Sequence, residues 1–180
     1  MSHDITLRTE RLVLRPLSET DLDAVHRISN EPLVRLYLWD DEPVSMGQIE
    51  GTFAQSVREF AEKGLGLFGI CLRGEANLLG LCGFRSLENT DEIELAYQLS
   101  QEWWGRGFAT EAARACLHHV FEEVGLERVM AGVEPQNVSS KRVLQKLGMR
   151  YVGEIVPNQP GTPYFALSRN NYRDHTESGS

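Results

Sequence analysis

Tyr97-Gln98-Leu99-Ser100-Gln101-Glu102-Trp103-Trp104-Gly105-Arg106-Gly107-Phe108-Ala109-Thr110-Glu111-Ala112-Ala113 reads as an apolar strand that passes through two glycines into a good helix former. Gly105 and Gly107 carry no side chain, so a ligand can approach the backbone closely there. The first turn of the following helix offers unpaired N–H groups at the positive end of a helix dipole. The stretch therefore predicts an anion site, most simply for a phosphate or pyrophosphate.

Immediately upstream, residues 92–99 alternate. Ile93, Leu95, Tyr97 and Leu99 fall on one face, and Glu92, Glu94, Ala96 and Gln98 on the other. Two more strands, 67–73 and 78–85, precede them, joined by the turn Gly74-Glu75-Ala76-Asn77. Before those stands a helix over 46–63, opened at Ser45 and ended by Gly64, with Ile49, Phe53, Val57 and Phe60 as its buried stripe. Residues 11–17 form a first strand, and Ser18-Glu19-Thr20-Asp21 caps a helix carrying Leu22, Val25 and Ile28. The segment 32–43 is irregular and rich in large apolar groups. It reads as a substrate-facing loop or short helix, or as a loop pinned to the core by its aromatics.

Downstream, a helix runs over 107–124 and stops at Gly125. A strand over 128–133, a turn at Pro135-Gln136-Asn137, a helix over 139–147 closed by Gly148, and strands over 150–156 and 163–168 complete the pattern. The polar residues 171–180 predict a frayed end. The order β–α–α–β–β–β–α–β–α–β–β implies an α/β (α+β) architecture, a mixed sheet with helices on its faces. The strand ending at Leu99 and the one starting near Arg128 are its expected parallel neighbours.

Length and composition bound the function. At 180 residues the chain fits one domain with a sizeable core. A net charge of −8 argues against nucleic acid and anionic membranes as partners, and suits a cationic or amine-bearing substrate. Cys71, Cys82 and Cys116 are odd in number and form no CxxC, so they read as buried free thiols in a reducing cytoplasm, with no metal site. There is no signal-peptide pattern and no apolar run long enough to span a membrane.

The glycines fail two common nucleotide tests. A dinucleotide fingerprint needs a third Gly or Ala where Thr110 stands, and a P-loop needs Gly-Lys-Ser/Thr, which the chain lacks. Instead, Trp104-Gly105-Arg106-Gly107-Phe108-Ala109-Thr110-Glu111-Ala112 resembles the acetyl-CoA-binding motif of the GNAT N-acetyltransferases, Arg/Gln-x-x-Gly-x-Gly/Ala. Trp104 takes the Arg/Gln place, as is common in the branch that acetylates the N-termini of ribosomal proteins and related substrates. Three more stretches resemble that branch, in matching order. They are Thr9-Glu10-Arg11-Leu12-Val13-Leu14-Arg15-Pro16, Glu94-Leu95-Ala96-Tyr97, and Asn137-Val138-Ser139-Ser140 with its continuation to Leu147-Gly148-Met149.

The resemblance implies a single-domain fold over about residues 7–170, with a mostly antiparallel sheet of six to seven strands splayed at its centre and about four helices. It implies acetyl-CoA as co-substrate and no metal. Gly105, Arg106, Gly107, Phe108, Ala109 and Thr110 would hold the pyrophosphate, beside Trp104. Backbone groups of Tyr97 and Leu99 would hold the pantetheine arm, and Asn137 would meet that arm or a water. Acetyl transfer to an amine needs a base, a polarised thioester carbonyl and an acid for the leaving thiolate. Glu94 is the candidate base, with Glu92 behind it, and an N–H near Leu99 the candidate polariser. The last helix offers no tyrosine, so Ser140 is the candidate acid, followed by Tyr151 and Tyr164. The acceptor would be a protein N-terminus or a small-molecule amine, and the protein a monomer or homodimer. A non-catalytic acyl-CoA-binding or sensing domain is the alternative. Glu94, Asn137 and Ser140 favour the enzyme.

Overall fold

Short antiparallel connections after the second long helix fix the middle of the sheet, and the outer strands are added around it. The computed structural model describes residues 5–88, 90–154 and 161–178. In chain order it contains β1 (Leu7–Arg8), β2 (Leu12–Pro16), α1 (Leu22–Ser29), α2 (Pro32–Leu38), α3 (Met46–Lys63), β3 (Leu67–Leu72) and β4 (Leu78–Ser86). β5 (Ile93–Leu99), α4 (Phe108–His118), β6 (Arg128–Gly132), α5 (Val138–Lys146), β7 (Arg150–Gly153), β8 (Tyr164–Ser168) and α6 (Arg169–Ser178) follow. One sheet of eight strands runs β1-β2-β3-β4-β5-β6-β8-β7, with β5–β6 its parallel pair. No helix of the described residues is long and apolar enough to cross a membrane.

Among the described residues the sheet has eight strands where about six to seven were expected, and there are six α-helices where about four were. β1, two residues long, is too short to show alternation. Within the segment 32–43 the short-helix reading holds for α2, because Pro32 pre-sets the first helical turn. The end expected to fray is helical through Ser178: Tyr172 packs its ring 5.0 Å from Phe121, and Arg173 pairs with Glu122 at 2.9 Å. Of the strand expected over 150–156, residues 155 and 156 lie outside the described residues.

α3 runs from Met46 to Lys63 as its caps dictate. Ser45 Oγ accepts the Gln48 N–H, Gln48 Oε1 accepts the Ser45 N–H, and Gly64 closes the helix at φ +69°. Its buried stripe differs from expectation. Val57 is exposed, while Ser56 and Glu59 face inward. Main-chain donors explain this: Ser56 Oγ accepts the Leu67 N–H at 2.7 Å, and Glu59 Oε1 the Ser86 N–H at 2.9 Å. Buried donors need partners more than that face needs another apolar group.

Both faces of the sheet are covered. Leu95 and Leu99 join the main core with Phe108, Ala112, Cys116 and Leu144, while Ala96 joins Val25, Ile49 and Leu81 beneath α1 and α3. All three cysteines are free and buried. β5 and β6 then part. Ser100 N–H bonds the Leu79 carbonyl, so with this register Gln98 and Ala96 bond β4 and the backbone groups of Tyr97 and Leu99 turn toward β6. Yet β5 and β6 are in register only at Glu94 and Met130. Beyond that pair the parallel neighbours splay, as the resemblance implied.

Candidate active site

Two cavities open where the sheet splays. The first encloses about 300 Å3 between the glycine turn, α2 and α5. Gly105 and Gly107 adopt φ of +72° and +80°, a region glycine enters at no steric cost. Gly107 is the N-cap of α4 and caps nothing with a side chain, so the first-turn N–H groups at Phe108, Ala109 and Thr110 remain for a ligand. A Cβ on Gly105 would meet nothing within 4 Å, which leaves the turn open to a bulky anion. Arg142 and Lys146 line the same cavity from α5 and supply positive charge. These features fit a pyrophosphate-bearing co-substrate.

The opening segment of the chain braces that turn. Glu111, in the first turn of α4, accepts from Thr9 Oγ1 at 2.6 Å and the Arg11 N–H at 3.0 Å. The Arg11 guanidinium pairs with Glu111 Oε2 at 2.6 Å, donates to the Arg106 carbonyl at 3.0 Å and lies 4.4 Å from the Phe108 ring centre. Burial would raise the Glu111 carboxyl, but the bonds from Thr9 and Arg11 outweigh it and hold it below the ordinary carboxylate range. Two segments about a hundred residues apart thus form one unit. The sequence carried both without signalling that they meet.

At the splay, Trp104 Nε1–H donates to the Leu99 carbonyl at 2.8 Å. That corrects part of the expectation for Leu99. Its carbonyl is taken by Trp104, so its N–H and the backbone groups of Tyr97 are what β5 offers a ligand. Arg106 is not among the residues that line this cavity, and its guanidinium stands 4.8 Å from the Trp103 ring centre. Tyr97, Leu99, Trp104, Gly105, Gly107, Phe108, Ala109, Thr110, Asn137 and Ser140 all do.

Asn137 caps α5, and the cap fixes Ser140. Asn137 Oδ1 accepts the Ser140 N–H at 3.0 Å, and Asn137 Nδ2 donates to Ser140 Oγ at 3.1 Å. With Oγ accepting from Asn137, the Ser140 hydroxyl proton is free to donate elsewhere. The Tyr97 hydroxyl donates to the Ser140 carbonyl at 3.4 Å, and burial pushes its pKa up to about 12. Tyr151 is exposed and Tyr164 fully buried, and neither lines a cavity.

The second cavity, about 520 Å3, lies on the α1–α3 side of β5. Glu94 lines it and is only 5% exposed, rather than solvent-facing. Its Oε2 accepts a bond from Arg85 Nε at 2.8 Å and lies 2.8 Å from Arg85 Nη2 in an ion pair, and its Oε1 accepts the Gly132 N–H at 3.2 Å. The last bond is a consequence of the splay. Val133 N–H bonds the Pro163 carbonyl, so Gly132 N–H points at β5, where the strand has already diverged and a side chain takes its place. Glu92 is drawn instead toward Arg128, at 3.7 Å, and lines neither cavity.

Six residues line both cavities: Tyr37, Leu38, Tyr97, Gln98, Asn137 and Ser140. The two spaces therefore meet beside Ser140. Sequence reasoning missed Arg85, Gln98 and Glu134 on the second cavity, and Ser139, Arg142, Val143 and Lys146 on the first. The four α5 residues recur every three or four positions and so share one helix face, a signal available in the sequence.

Residues 11–150 match the family described as Acetyltransferase (GNAT) domain. The uncharacterized N-acetyltransferase YoaA of Bacillus subtilis (strain 168) is 32% identical over 167 residues, covering 88% of this chain and 91% of its own. An acetyltransferase structure from Agrobacterium tumefaciens str. C58 superposes with a TM-score of 0.82 at 28% identity, over 91% of this chain and 94% of that one. RimL, a ribosomal L7/L12 alpha-N-protein acetyltransferase solved with coenzyme A, shares the fold at TM-score 0.74 and 16% identity, over 91% of this chain and 98% of its own. With the glycine turn, the splay and these matches together, the chain belongs to the GNAT acetyltransferase family and is an acetyl-CoA-dependent N-acetyltransferase.

Proposed function

We propose that this enzyme acetylates a cationic primary amine by direct attack in a ternary complex, with acetyl-CoA in the first cavity and the acceptor in the second. The observation that carries this reading is the meeting of the two cavities beside Ser140. The α4 N–H groups and Gly105–Gly107 hold the pyrophosphate, helped by Arg142 and Lys146. Tyr97 backbone groups and the Leu99 N–H hold the pantetheine arm, and that N–H polarises the thioester carbonyl. Acetyl-CoA supplies the activated acetyl group.

Glu94 acts as base through a water. Arg85 holds its Oε2 and the Gly132 N–H takes one position on Oε1, which leaves the other Oε1 position to serve the second cavity. The amine nitrogen forms the new C–N bond as the C–S bond breaks. The ammonium first gives one proton to Glu94 through the water, which frees the attacking lone pair. After attack the nitrogen's second proton passes to solvent, and the thiolate takes a proton from Ser140 Oγ, which solvent replaces. Asp40 and Glu134 also line the second cavity, and Arg85 is neutralised by Glu94, so the surplus charge there is negative. That balance supports a cationic acceptor, of which a peptide N-terminus and a polyamine are both examples.

Thiol release from acetyl-CoA, measured with spermidine and with alanine- and serine-starting peptides, tests the reading. Amine-dependent release with matching acetylated product is expected. Acetyl-CoA binding without release for any of these amines overturns it in favour of a non-catalytic acyl-CoA-binding domain.

A further inference from the structure

Gln98 is a polar side chain placed where the chemistry happens. It is 7% exposed, stands on β5 four residues beyond Glu94 on the same face, and lines both cavities. Its Nε2 donates to Ser29 Oγ at 2.8 Å, which fixes the amide plane from α1. Its Oε1 accepts no hydrogen bond among the described residues, and it is not among the buried atoms sealed without a partner. A buried amide oxygen with both lone pairs open to a cavity is costly unless something binds there.

An amine attacking a thioester has a defined need. Its lone pair must point at the carbonyl carbon, so its N–H bonds point away and require acceptors. Glu94 is held at Oε2 by Arg85 and at Oε1 by Gly132, and what remains serves as base. Asn137 and Ser140 are bonded to each other. Gln98 Oε1 is an amide acceptor at the junction with no partner among the described residues. We infer that Gln98 orients the acceptor amine, its amide oxygen receiving an amine N–H while Ser29 holds the amide in that pose.

This inference rests on the transfer reaction proposed above. It makes Gln98 a determinant of acceptor binding and not of acetyl-CoA binding. It also fixes which end of the amide matters, because an amide turned over would offer Nε2 and repel an amine's N–H.

The test is steady-state kinetics of Gln98→Met, Gln98→Glu and Ser29→Ala with the amine, among spermidine and the alanine- and serine-starting peptides, that the wild-type enzyme turns over. Gln98→Met keeps volume and loses the oxygen. It is expected to raise the acceptor KM about tenfold or more, the size of one lost hydrogen bond to a charged partner, with the acetyl-CoA KM unchanged. Gln98→Glu keeps an oxygen at the same place and is expected to stay within about threefold of wild type. Ser29→Ala should fall between them, with its loss in acceptor KM rather than thermal stability. An acceptor KM unchanged in Gln98→Met overturns the inference while leaving the transfer reaction standing. Gln98→Glu as damaged as Gln98→Met also overturns it, because the nitrogen end would then be the one in use. A wild-type enzyme that releases thiol with none of these amines removes the reaction itself, and the inference with it.

Discussion

The two sides of β5 are built by different means. On the side proposed for acetyl-CoA the groups on offer are mainly backbone: first-turn N–H groups of α4, two glycines in positive φ, and strand groups freed by the splay. On the acceptor side they are side chains, from α1, α2, β4, β5 and the segment after β6. A backbone site can keep one shape while its surroundings drift, since any residue supplies an N–H. A side-chain site changes with each substitution. In the proposed arrangement one face would therefore bind a constant co-substrate, and the other would be free to choose its amine.

The sharpest way to break this division is at the junction, where Ser140 lines both cavities. Ser140→Ala removes the proposed thiolate proton donor but leaves the Asn137 Oδ1 bond to the residue 140 N–H, so α5 keeps its cap. The expected result is a loss of about 100-fold in kcat. Acetyl-CoA affinity, measured by calorimetry, should hold within about twofold, because the binding groups are elsewhere. A kcat within a factor of a few of wild type would move the acid role to another donor.

The same division explains what was readable in the sequence. The glycine turn, the α3 caps and the Asn137 cap are local signals, where one residue type at one offset states a backbone geometry. β5 also alternated as expected, but alternation cannot distinguish a solvated face from one covered by a second layer. Glu94 and Gln98 share the polar-looking face of β5 and are buried. Ser56 and Glu59 lie outside the stripe that periodicity marks, since their burial depends on strand N–H groups that no helical periodicity records. The contact of Arg11 with Glu111 joins two motifs individually visible in the chain, and only the fold shows that they touch.

That contact sharpens the comparison from the acetyl-CoA side. Glu111→Gln keeps an acceptor for Thr9 and the Arg11 N–H but removes the charge facing the Arg11 guanidinium. The pyrophosphate turn should loosen, raising the acetyl-CoA KM about fivefold, equivalent to about 1 kcal/mol, with the acceptor KM unchanged. The folded protein holds Glu111 below its ordinary carboxylate range. Its contribution to stability is therefore full above about pH 5 and is lost as pH falls through about 4 and below. Thermal melts should show wild type above Glu111→Gln at pH 7 and the gap closing toward pH 3. A gap that is constant with pH would mean that the charge contributes nothing.

The smallest expected effect separates two adjacent aspartates that the sequence could only treat together. Asp40 and Asp41 follow α2 with φ of +51° and +59°, a left-handed pair outside glycine. Backbone strain of this kind gathers at functional sites, and Asn tolerates the conformation as well as Asp does. Replacement by Asn therefore removes the charge and keeps the turn. The two charges face different partners. Asp41 Oδ1 accepts from Arg35 Nε at 2.9 Å, while Asp40 lines the second cavity. Asp40→Asn should raise the acceptor KM about two- to threefold at low salt, and less as salt screens the exposed carboxylate. The acetyl-CoA KM should not move. Asp41→Asn should leave both KM values near wild type, because its charge is directed at Arg35 and not at the acceptor. If instead Asp41→Asn raises the acceptor KM as much as Asp40→Asn does, the effect belongs to the turn rather than to charge, and the acceptor side would then depend on backbone shape as the acetyl-CoA side does.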